Sequence, residues 1–324
     1  MKPILDVLIV THQAGPMLDD CIDGLMAQTM APGSIVVVVS SDVHVSESPR
    51  YTIVRTRGDA DFAPAANVGL RTLGDRPVVL LNDDTIPTPT FLEELSTAID
   101  RPGIYQPRIL LPDGSVDNTG HHVFVDGFNL ARDRGSRDVR EADICGAFSG
   151  AAVLFTPEIL RTVGLFDEDF EAFGEDLDLS LRAIRHGFII QHVPQAVIQH
   201  RLGASYGRTS PRKIFLVERN RTRAAIRSLP FPALAALPAA TAARFSLLGI
   251  AAMMGQGLGS NAGWRGAAAA ILGATVGATD FSVAWSKRKQ DQTKWLTSEA
   301  DMWRHLREQR PRLSDLWGPA ITSL

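Results

Sequence analysis

The sequence predicts an α/β fold with a Rossmann-like, mostly parallel sheet that has helices on both faces. Short apolar runs rich in β-branched residues occupy 4–10, 35–39 and 78–81, and helical segments alternate with them. Strands that are almost continuously apolar are typical of a parallel sheet covered on both faces. The content of 45% hydrophobic and 21% charged residues is ordinary for a globular chain of 324 residues. This length is enough for one large domain or for a domain with an appendage.

Polar residues follow each of the three apolar runs. They are Thr11-His12, Ser40-Ser41-Asp42 and Asn82-Asp83-Asp84. In open α/β sheets, ligands bind outside the carboxyl ends of the strands, and parallel strands bring those ends to one edge. We therefore expect these residues to surround a site.

The middle of the chain contains turns and further strands. Residues 112–114 (Pro-Asp-Gly) form a turn between two strand-like stretches. Residues 131–143 are polar and predict a mobile loop, whereas 147–155 is small and apolar, with glycines that permit close backbone approach. Residues 188–199 predict a pair of strands that ends at His200.

The composition changes from about Pro230 onward. Ala, Gly, Leu and Met dominate residues 233–279, with interruptions at Arg244 and Arg265. The charge-free run 245–264 is long enough to cross a bilayer, but it contains polar residues and glycines. We predict interfacial or re-entrant helices at a membrane surface. The alternative is a soluble helical pair packed on the main domain.

The net charge of −3 conceals an asymmetry. Residues 201–324 contain 18 Lys and Arg against 7 Asp and Glu, a balance of +11, and residues 1–200 have a balance of −14. An acidic body suits a metal site, and a basic C-terminal third suits phosphate groups or an anionic membrane face. The N-terminus shows no signal-peptide pattern, and the two cysteines lack metal-ligand spacing. A reduced, cytoplasmic location is predicted.

The segment 166–186 (FDEDFEAFGEDLDLSLRAIRH) places acids among residues that favour burial. A carboxylate against apolar walls can have a raised pKa and accept a proton near neutral pH. Glu175 and Asp176 are therefore candidates for a general base. The alternative is a helix N-terminus decorated with acids, which the helix dipole favours.

Asp83 and Asp84 follow a buried strand, where carboxylates need a cation or hydrogen-bond donors. Hard oxygen ligands on a short turn suit Mg²⁺ or Mn²⁺, although an acidic surface turn is the alternative. His200 ends a strand and precedes a cationic run that includes Arg212. That run could meet a diphosphate or an anionic lipid, or it could be a solvated helix face.

Taken in order, these segments resemble the inverting family 2 glycosyltransferases of the GT-A fold, especially the bacterial rhamnosyltransferase-like branch. The resemblance covers about residues 4–227. The matching segments are Val7 to Gln13, Gly58 to Gly69, Leu81 to Thr85, Ser149 to Ala151, Gly164 to Glu168, Gly174 to Arg182, His200 to Ser205, and Arg219-Asn220. We predict a catalytic domain at 1–228 and a helical, membrane-associating region at 229–324.

The resemblance implies a role for each matching residue. Asp84 and His200 would bind Mg²⁺ or Mn²⁺, and Asp176 would be the general base with Glu175 beside it. The remaining implied residues bind the nucleotide sugar, and they are Thr11, His12, Ser41, Asp42, Asn67, Asp83 and Arg212. One departure concerns the acid that family members carry directly after the second strand. Ser40-Ser41 occupies that place, with Asp42 next to it.

The leading hypothesis is a metal-dependent inverting glycosyltransferase on the inner face of the cell membrane. The resemblance implies a nucleotide-diphosphate sugar donor, with rhamnose the first candidate, and a lipid-linked or polysaccharide acceptor of the cell envelope. An anionic membrane surface is the other predicted partner, and no nucleic acid is predicted. The Ser40-Ser41 departure motivates an alternative, a degenerate scaffold of this fold that binds a nucleotide or a partner enzyme without catalysis. A nucleotidyltransferase would need a glycine-rich phosphate loop, which Thr11 to Gly15 resembles poorly.

Overall fold

The computed structural model describes residues 2–12, 15–41, 43–58, 60–201, 210–254 and 263–310. Within these residues a large sheet has helices on both faces, and further helices follow toward the C-terminus. The predicted α/β class with a C-terminal helical region is confirmed. The proposed site residue Asp42 lies outside the described residues, as does Gly203 to Ser205 of the motif that begins at His200.

Eleven strands form within the described residues. They are β1 (Asp6–Thr11), β2 (Ile35–Val39), β3 (Thr52–Arg55), β4 (Val78–Asn82), β5 (Thr85–Pro87), β6 (Ile104–Leu110), β7 (Val116–Asn118), β8 (His121–Val123), β9 (Asn129–Ala131), β10 (Ala152–Phe155) and β11 (Ile190–His200). The main sheet has the order β3-β2-β1-β4-β10-β6-β11-β5, with β7 paired to β6. Strands β8 and β9 form a separate ribbon.

The main sheet is mixed rather than uniformly parallel. Strands β1, β2, β3 and β4 are parallel to one another, and β6 is parallel to β11. Strand β10 lies between these two groups and is antiparallel to both β4 and β6. The two groups therefore point the same way. The carboxyl ends of β1, β2, β4 and β11 meet at one edge of the sheet, as the sequence predicts.

Ten α-helices form within the described residues. They are α1 (Pro16–Met26), α2 (Phe62–Leu70), α3 (Phe91–Ala98), α4 (Pro157–Thr162), α5 (Glu175–Arg185), α6 (Pro211–Ser228), α7 (Phe231–Met253), α8 (Gly263–Thr279), α9 (Phe281–Gln292) and α10 (Glu299–Glu308). A single 3-10 turn covers Glu168–Phe170.

Alternating side chains of the strands feed two cores, one on each face of the sheet. Leu8 and Val10 pack with α2, α4 and α5 on one face. Val7 and Ile9 pack with α1 and α3 on the other. This period of two is what a strand buried on both faces produces.

The C-terminal helices pack against the α/β body that contains the main sheet. Helix α8 lies so close to α6 that a Cβ atom added to Gly273 or Gly277 would overlap the carbonyl oxygens of Phe215 or Arg219. Only residues without a side chain permit this approach. In α10, Met302 and Leu306 are fully buried in the core on the α5 face. The described helices after residue 229 therefore share a core with the preceding part of the chain, and the division into two domains remains a prediction.

Helix α7 is long and apolar enough to cross a membrane by length and composition, and only 11% of its most apolar window is buried. Helices α8 and α9 pass the same test only as a pair bent by 56°. Arg244, however, lies in the middle of α7 and is buried in ion pairs with the catalytic body. Because the centre of α7 is fixed to that body, we favour a packed helix with an exposed apolar face over a span.

One sequence prediction is wrong in detail. Residues 188–199 do not form a strand pair, because β11 is one long strand whose register shifts between Val193 and Val197. The predicted loop at 131–143 contains buried Arg132, whose guanidinium binds the carboxylate of Asp143 at 2.6 Å. This pair closes the segment on itself, and Arg134 attaches the segment to Asp117 of β7 at 2.5 Å. Its predicted mobility stays a prediction.

Candidate active site

Two adjacent carboxylates occupy the turn that follows β4. The hydroxyl of Thr11, at the end of β1, donates a hydrogen bond to the carboxylate of Asp83. Burial raises the pKa of Asp83 above its ordinary value, and the Thr11 hydrogen bond opposes that rise. The next residue, Asp84, is buried, and its carbonyl oxygen accepts from the backbone N–H of Arg201 at 2.9 Å. The turn is thus fixed by both β1 and the end of β11.

The imidazole of His200 lies between two carboxylates. Its Nδ1 atom is 2.8 Å from Oδ2 of Asp117, and its Nε2 atom is 3.3 Å from Oδ1 of Asp84. Burial opposes a charged imidazole, but the two carboxylates outweigh it and raise the pKa of His200 to about 9. The guanidinium of Arg134 contacts the other oxygen of Asp117 at 2.5 Å. Although burial opposes ionisation of Asp117, His200 and Arg134 hold its pKa below the ordinary value.

Asp84 and His200 offer donor atoms that suit a divalent cation. No group of three or more His, Cys, Asp or Glu side chains that could hold a metal ion occurs in the described part of the chain. Mg²⁺ commonly uses one or two protein carboxylates and takes its other ligands from phosphates and water. The contact of Asp117 with Nδ1 is the carboxylate–histidine arrangement that orients Nε2 as a ligand. These residues therefore fit a cation that substrate phosphates would help to hold.

The second acidic pair begins helix α5. Glu175 is buried, and its Oε2 atom has no hydrogen-bond partner. Burial, reinforced by the neighbouring charge of Asp176, raises the pKa of Glu175 to about 8. Asp176 is only partly buried, and its Oδ2 atom accepts from the backbone N–H of Gly150 at 3.4 Å. Of the two, Asp176 is the carboxylate that a ligand can reach.

A three-residue segment, Ser149-Gly150-Ala151, joins the two acidic groups. The carbonyl oxygen of Ala151 accepts from the backbone N–H of Asn82, which begins the turn that carries Asp83 and Asp84, at 2.9 Å. Gly150 contacts Asp176, as described above. Two hydrogen bonds to this segment therefore couple the position of the turn after β4 to that of the candidate base.

Three residues of the site were not identified from the sequence. Asp117 orients His200, Arg134 pairs with Asp117, and His121 lies near Asp176. Burial lowers the pKa of His121, while Asp176 and Asp117 oppose that effect. All three lie in the strands β7 and β8 or the loop that follows β9. The only available signal was the high proportion of histidine and acid in residues 113–143.

The motif that begins at Gly174 also contains structural residues. Asp178 is fully buried, and its Oδ2 atom accepts from Nε of Arg182 at 2.7 Å. Arg182 also donates to the carbonyl oxygens of Val163 and Leu165. The charge pair therefore fixes the turn before Phe166, and it does not reach the site.

Asn67 is placed differently from what the resemblance implies. Its side chain is 1% exposed, so it does not line a nucleotide pocket. Its Nδ2 atom donates to the carbonyl oxygen of Phe166 at 2.8 Å and to Oε1 of Glu168 at 2.9 Å. Its Oδ1 atom accepts from the backbone N–H of Phe166 at 3.0 Å. A buried amide that has partners on both sides is a positioning residue.

Asn220 holds the strained segment before α5. Glu171 and Phe173 have φ angles of 63° and 65°, which residues other than glycine rarely adopt. The Nδ2 atom of Asn220 contacts the carbonyl oxygens of Phe170, Ala172 and Phe173 at 2.8, 3.1 and 2.6 Å. These bonds define the path of the chain into α5.

The other proposed nucleotide-binding residues occupy varied positions. Thr11 is buried and holds Asp83, and His12 is close enough to help lower the pKa of Asp83. Ser41 is exposed just beyond β2, at the ligand edge of the sheet. Arg212 is exposed in the first turn of α6. Their contacts with a nucleotide remain predictions.

The cationic run of α6 is largely used inside the protein. Arg219 binds Glu171 at 2.8 Å, and Arg221 binds Glu218 at 2.8 Å. Arg227 contacts both Asp167 and Asp178. These arginines are structural, which removes them as ligands of a diphosphate or a lipid headgroup.

A cavity of about 710 Å³ lies beside Asp176. Its polar side includes Asn118, His121 and Arg134, and its other walls come from helices α6, α7 and α8. Lys213, the residue after Arg212, also lines it. A base at the wall of such a cavity can contact a bound hydroxyl group.

Comparison with known proteins identifies related sequences. The chain is 26% identical over 229 residues to the O-antigen biosynthesis protein RfbC of Myxococcus xanthus, covering 63% of this chain and 18% of RfbC. It is 25% identical over 244 residues to N-acetylglucosaminyl-diphospho-decaprenol L-rhamnosyltransferase of Mycobacterium tuberculosis, covering 64% of this chain and 79% of that enzyme. The chain therefore spans less than a fifth of RfbC.

The crystal structure of GalNAc-T7 with UDP, GalNAc and Mn²⁺ has a similar fold, with a TM-score of 0.55 at 16% identity. The match covers 69% of this chain and 48% of GalNAc-T7, and it confirms the predicted GT-A fold. The sequence profile described as glycosyltransferase like family 2 matches residues 3–226. The chain therefore belongs to this family and is a glycosyltransferase.

Proposed function

We propose that the protein is a metal-dependent, inverting glycosyltransferase that uses a nucleotide-diphosphate sugar. The observation that supports this most directly is the link between the two acidic groups. Asp84 and His200 provide ligands for a cation, and Asp176 is joined to their turn through Gly150 and Ala151. A transferase of this kind needs a cation on the leaving phosphates and a base near the acceptor.

In the proposed reaction, Asp176 accepts the proton of the acceptor hydroxyl group. The acceptor oxygen then forms a bond to the anomeric carbon, and the bond between that carbon and the diphosphate oxygen breaks. A divalent cation held by Asp84 and His200 would neutralise charge on the departing diphosphate. One displacement of this kind inverts the anomeric configuration.

Glu175 has a supporting part in this scheme. Its raised pKa of about 8 makes it neutral at pH 7, so it adds no second negative charge beside Asp176. The carboxylate of Asp176 is near the N-terminus of α5, where the helix dipole favours negative charge. We therefore assign the base role to Asp176 and a structural role to Glu175.

Rhamnose is the first candidate for the transferred sugar, and deoxythymidine diphosphate is the first candidate for its carrier. The resemblance of the motifs and the names of the relatives support this choice. An acceptor that is lipid-linked or part of a cell-envelope polysaccharide follows from the same comparisons. We also propose that residues 1–228 form the catalytic domain and that the protein binds the inner face of the cell membrane.

The first test is calorimetric binding of purified full-length protein to a panel of nucleotides and nucleotide sugars, with and without Mn²⁺. Binding of one sugar nucleotide that depends on Mn²⁺ would support the proposal. Equal binding with and without the cation would remove the metal from the scheme. Failure of every donor to bind would instead favour the scaffold alternative and direct attention to Ser40-Ser41.

Membrane association needs a separate test, because deletion of 231–324 would expose the core around Ala233 and Met302. The double substitution Met254→Ser and Leu272→Ser changes exposed side chains only, since these residues are 61% and 56% exposed. We expect it to reduce sedimentation with vesicles that contain anionic phospholipid. Unchanged sedimentation would contradict the membrane role of α7 and α8.

A further inference from the structure

Two fully buried arginine side chains meet at the C-terminal end of α5, the helix whose first turn carries Asp176. Arg185 is the last residue of α5, Arg288 lies in α9, and both are 0% exposed. Their guanidinium carbons lie 4.1 and 4.8 Å from the centroid of the same ring, that of Trp295. None of these three residues lines the cavity beside Asp176. The arginine pair therefore forms a separate polar group within the fold.

Among the described residues, one carboxylate faces both cations. Oε1 of Glu299 is 2.9 Å from Nη2 of Arg185 and 3.5 Å from Nη2 of Arg288. Burial lowers the pKa of Arg185, and the charge of Glu299 opposes that effect. Burial, reinforced by the charge of Arg185, lowers the pKa of Arg288 to about 10, and Glu299 again opposes it. Two guanidinium groups beside one carboxylate leave one positive charge unbalanced.

Several buried N–H donors of this group have no acceptor in the part of the chain that the structure describes. They are Nη1 and Nη2 of Arg185, Nε and Nη2 of Arg288, and Nε1 of Trp295. The two Nη2 atoms lie near Glu299 but outside hydrogen-bond geometry. An aromatic face attracts a guanidinium cation, but it does not replace an oxygen atom or an anion as an acceptor. Buried donors without acceptors are costly, so this group lacks a partner.

The remaining donors of the two arginines have a structural use. Nε of Arg185 donates to the carbonyl oxygen of Ser228 at 2.7 Å, and Nη1 of Arg288 donates to that of Leu229 at 2.7 Å. Helix α6 ends at Ser228, where the last carbonyl groups of a helix have no partner within the helix. Capping of α6 accounts for these two nitrogens, and it leaves the unpartnered ones unexplained.

We propose that a small monovalent inorganic anion, such as chloride, binds among Arg185, Arg288 and Trp295. Such an anion accepts N–H donors from these side chains and balances the surplus of one positive charge. Buried water accepts the same donors, but it leaves the charge unbalanced. The enclosure of every unpartnered nitrogen favours a small ion over a larger phosphate compound. The proposal goes beyond the transferase function and does not depend on it.

The anion would strengthen the attachment of the segment before α10 to α5. The backbone N–H groups of Leu296 and Thr297 donate to the carbonyl oxygen of Arg185 at 2.9 and 3.1 Å. Glu299, which contacts both arginines, is the first residue of α10. A ligand that binds at this junction only in the folded state stabilises the protein.

The primary experiment is thermal unfolding of the full-length protein while sodium chloride replaces sodium gluconate at constant ionic strength. The unfolding temperature should rise with the logarithm of chloride concentration once that concentration exceeds the dissociation constant. An unfolding temperature that does not respond to chloride would overturn the proposal and assign the donors to buried water. A larger rise with phosphate than with chloride would overturn the choice of a small monovalent ion.

Two substitutions should change the chloride affinity in opposite directions. Trp295→Phe keeps an aromatic ring beside the guanidinium groups but removes the Nε1–H donor. Its chloride dissociation constant should rise about tenfold, as expected for the loss of one hydrogen bond to a charged group. Glu299→Gln should lower that constant, because it raises the surplus from one positive charge to two. If Glu299→Gln destabilised the protein without increasing its response to chloride, the junction would depend on ion pairing alone and the proposal would fail.

A matched control separates a specific site from a general effect of salt. Arg304→Met removes a cation of α10 whose side chain is 66% exposed and pairs with Asp301. Its response to chloride should equal that of the unmodified protein. Arg288→Met removes the surplus cation and should abolish the response, even though loss of the bond to Leu229 lowers the unfolding temperature itself. Equal responses to chloride in all four variants would contradict the site.

Discussion

The acidic edge of the sheet and the basic helices that cover the body use charge in opposite ways. We call Asp83, Asp84, Asp117 and Asp176 the acidic edge, and helices α6 to α10 the helical cover. At the acidic edge, the carboxylates are brought together with the imidazole of His200, and Thr11 and Arg134 offset part of their negative charge. In the helical cover, several cations form ion pairs with acids of the body. The first arrangement suits ligand binding, and the second holds the two parts together.

The pairs that join the cover to the body account for much of the charge asymmetry in the sequence. They include Arg219–Glu171, Arg221–Asp126, Arg227–Asp167, Arg227–Asp178, Arg244–Asp126, Lys287–Asp167 and Lys287–Asp169. A balance of +11 against −14 therefore describes an internal attraction as much as an affinity for phosphate or lipid. A basic C-terminal region is weaker support for an anionic partner once its cations are paired.

The sharpest test of the acidic edge is Asp176→Asn. Removing a general base lowers the rate of the chemical step by about 10²- to 10⁴-fold. We expect a loss of this size in kcat, with the affinity for the donor unchanged, from steady-state kinetics and calorimetry. Asp19→Asn, an exposed change on α1, is the control. Transfer that survives Asp176→Asn would move the base role elsewhere.

The corresponding test of the helical cover is Arg244→Met. This change leaves Glu218 and Asp126, both buried, with Arg221 as their remaining partner. Breaking a buried ion pair by removing one side costs about 3 to 5 kcal/mol of unfolding free energy. Denaturant unfolding should show this loss, whereas Arg265→Met on the exposed side of α8 should change stability by about 0.5 kcal/mol or less. Equal losses of unfolding free energy in the two variants would mean that the buried ion pairs of Arg244 add little to stability.

Asp117→Asn tests whether the acidic edge orients a metal ligand. Loss of a carboxylate that supports a ligating histidine typically costs about 10- to 100-fold in metal affinity. Calorimetric titration with Mn²⁺ in the presence of donor measures the effect. Asp113→Asn, on the exposed turn before β7, is the matched control. An unchanged Mn²⁺ affinity would remove His200 as an oriented ligand.

Gly273→Ala tests the close approach of α8 to α6. The added methyl group would meet the carbonyl oxygen of Phe215, and overpacking of this kind costs about 1 to 3 kcal/mol. Thermal unfolding should therefore occur at a lower temperature. Gly249→Ala, where space is open, should be neutral or stabilising by up to about 1 kcal/mol. The opposite ranking of the two variants would contradict the packing described for α8.

Glu175→Gln should have the smallest net effect, and its dependence on pH is the informative quantity. The folded protein keeps the Glu175 proton up to a pKa of about 8, whereas the unfolded chain releases it near 4.5. The stability of the unmodified protein therefore falls between those pH values, and glutamine removes that decline. The unfolding temperature of the variant relative to the parent should rise from pH 5 to pH 8. A buried amide without partners offsets part of this gain.

A constant difference across that range would contradict the raised pKa of Glu175. Glu94→Gln on α3 is the control, because it removes an acid that is not enclosed by the site. Its effect should not follow the same pH window.

The strand ends could be predicted from the sequence because apolar runs and the polar residues after them are local patterns. Asp84 and His200 were identified in this way, and the structure brings them within 3.3 Å. Asp117 and His121 could not be identified so readily. They belong to strands of only three residues, which are too short to show a periodicity that would mark them in the sequence.

Residues with structural roles were the other source of error. Asn67 has the polar character of a ligand, but its amide is fully used by Phe166 and Glu168. Whether an amide faces a pocket or a backbone turn depends on the tertiary path of residues about a hundred positions away. A single sequence contains no record of that path.

The bonds from Asn220 to the strained segment before α5 have a consequence for chimeric enzymes. The Gly174-Glu175-Asp176 motif obtains its entry path from a residue on a different helix, beyond strand β11. Grafting the motif into a relative without that asparagine would transfer the two acids but not the backbone path that orients them. Exchange between relatives should therefore move 166–186 and 211–228 as one unit, with crossover points outside both.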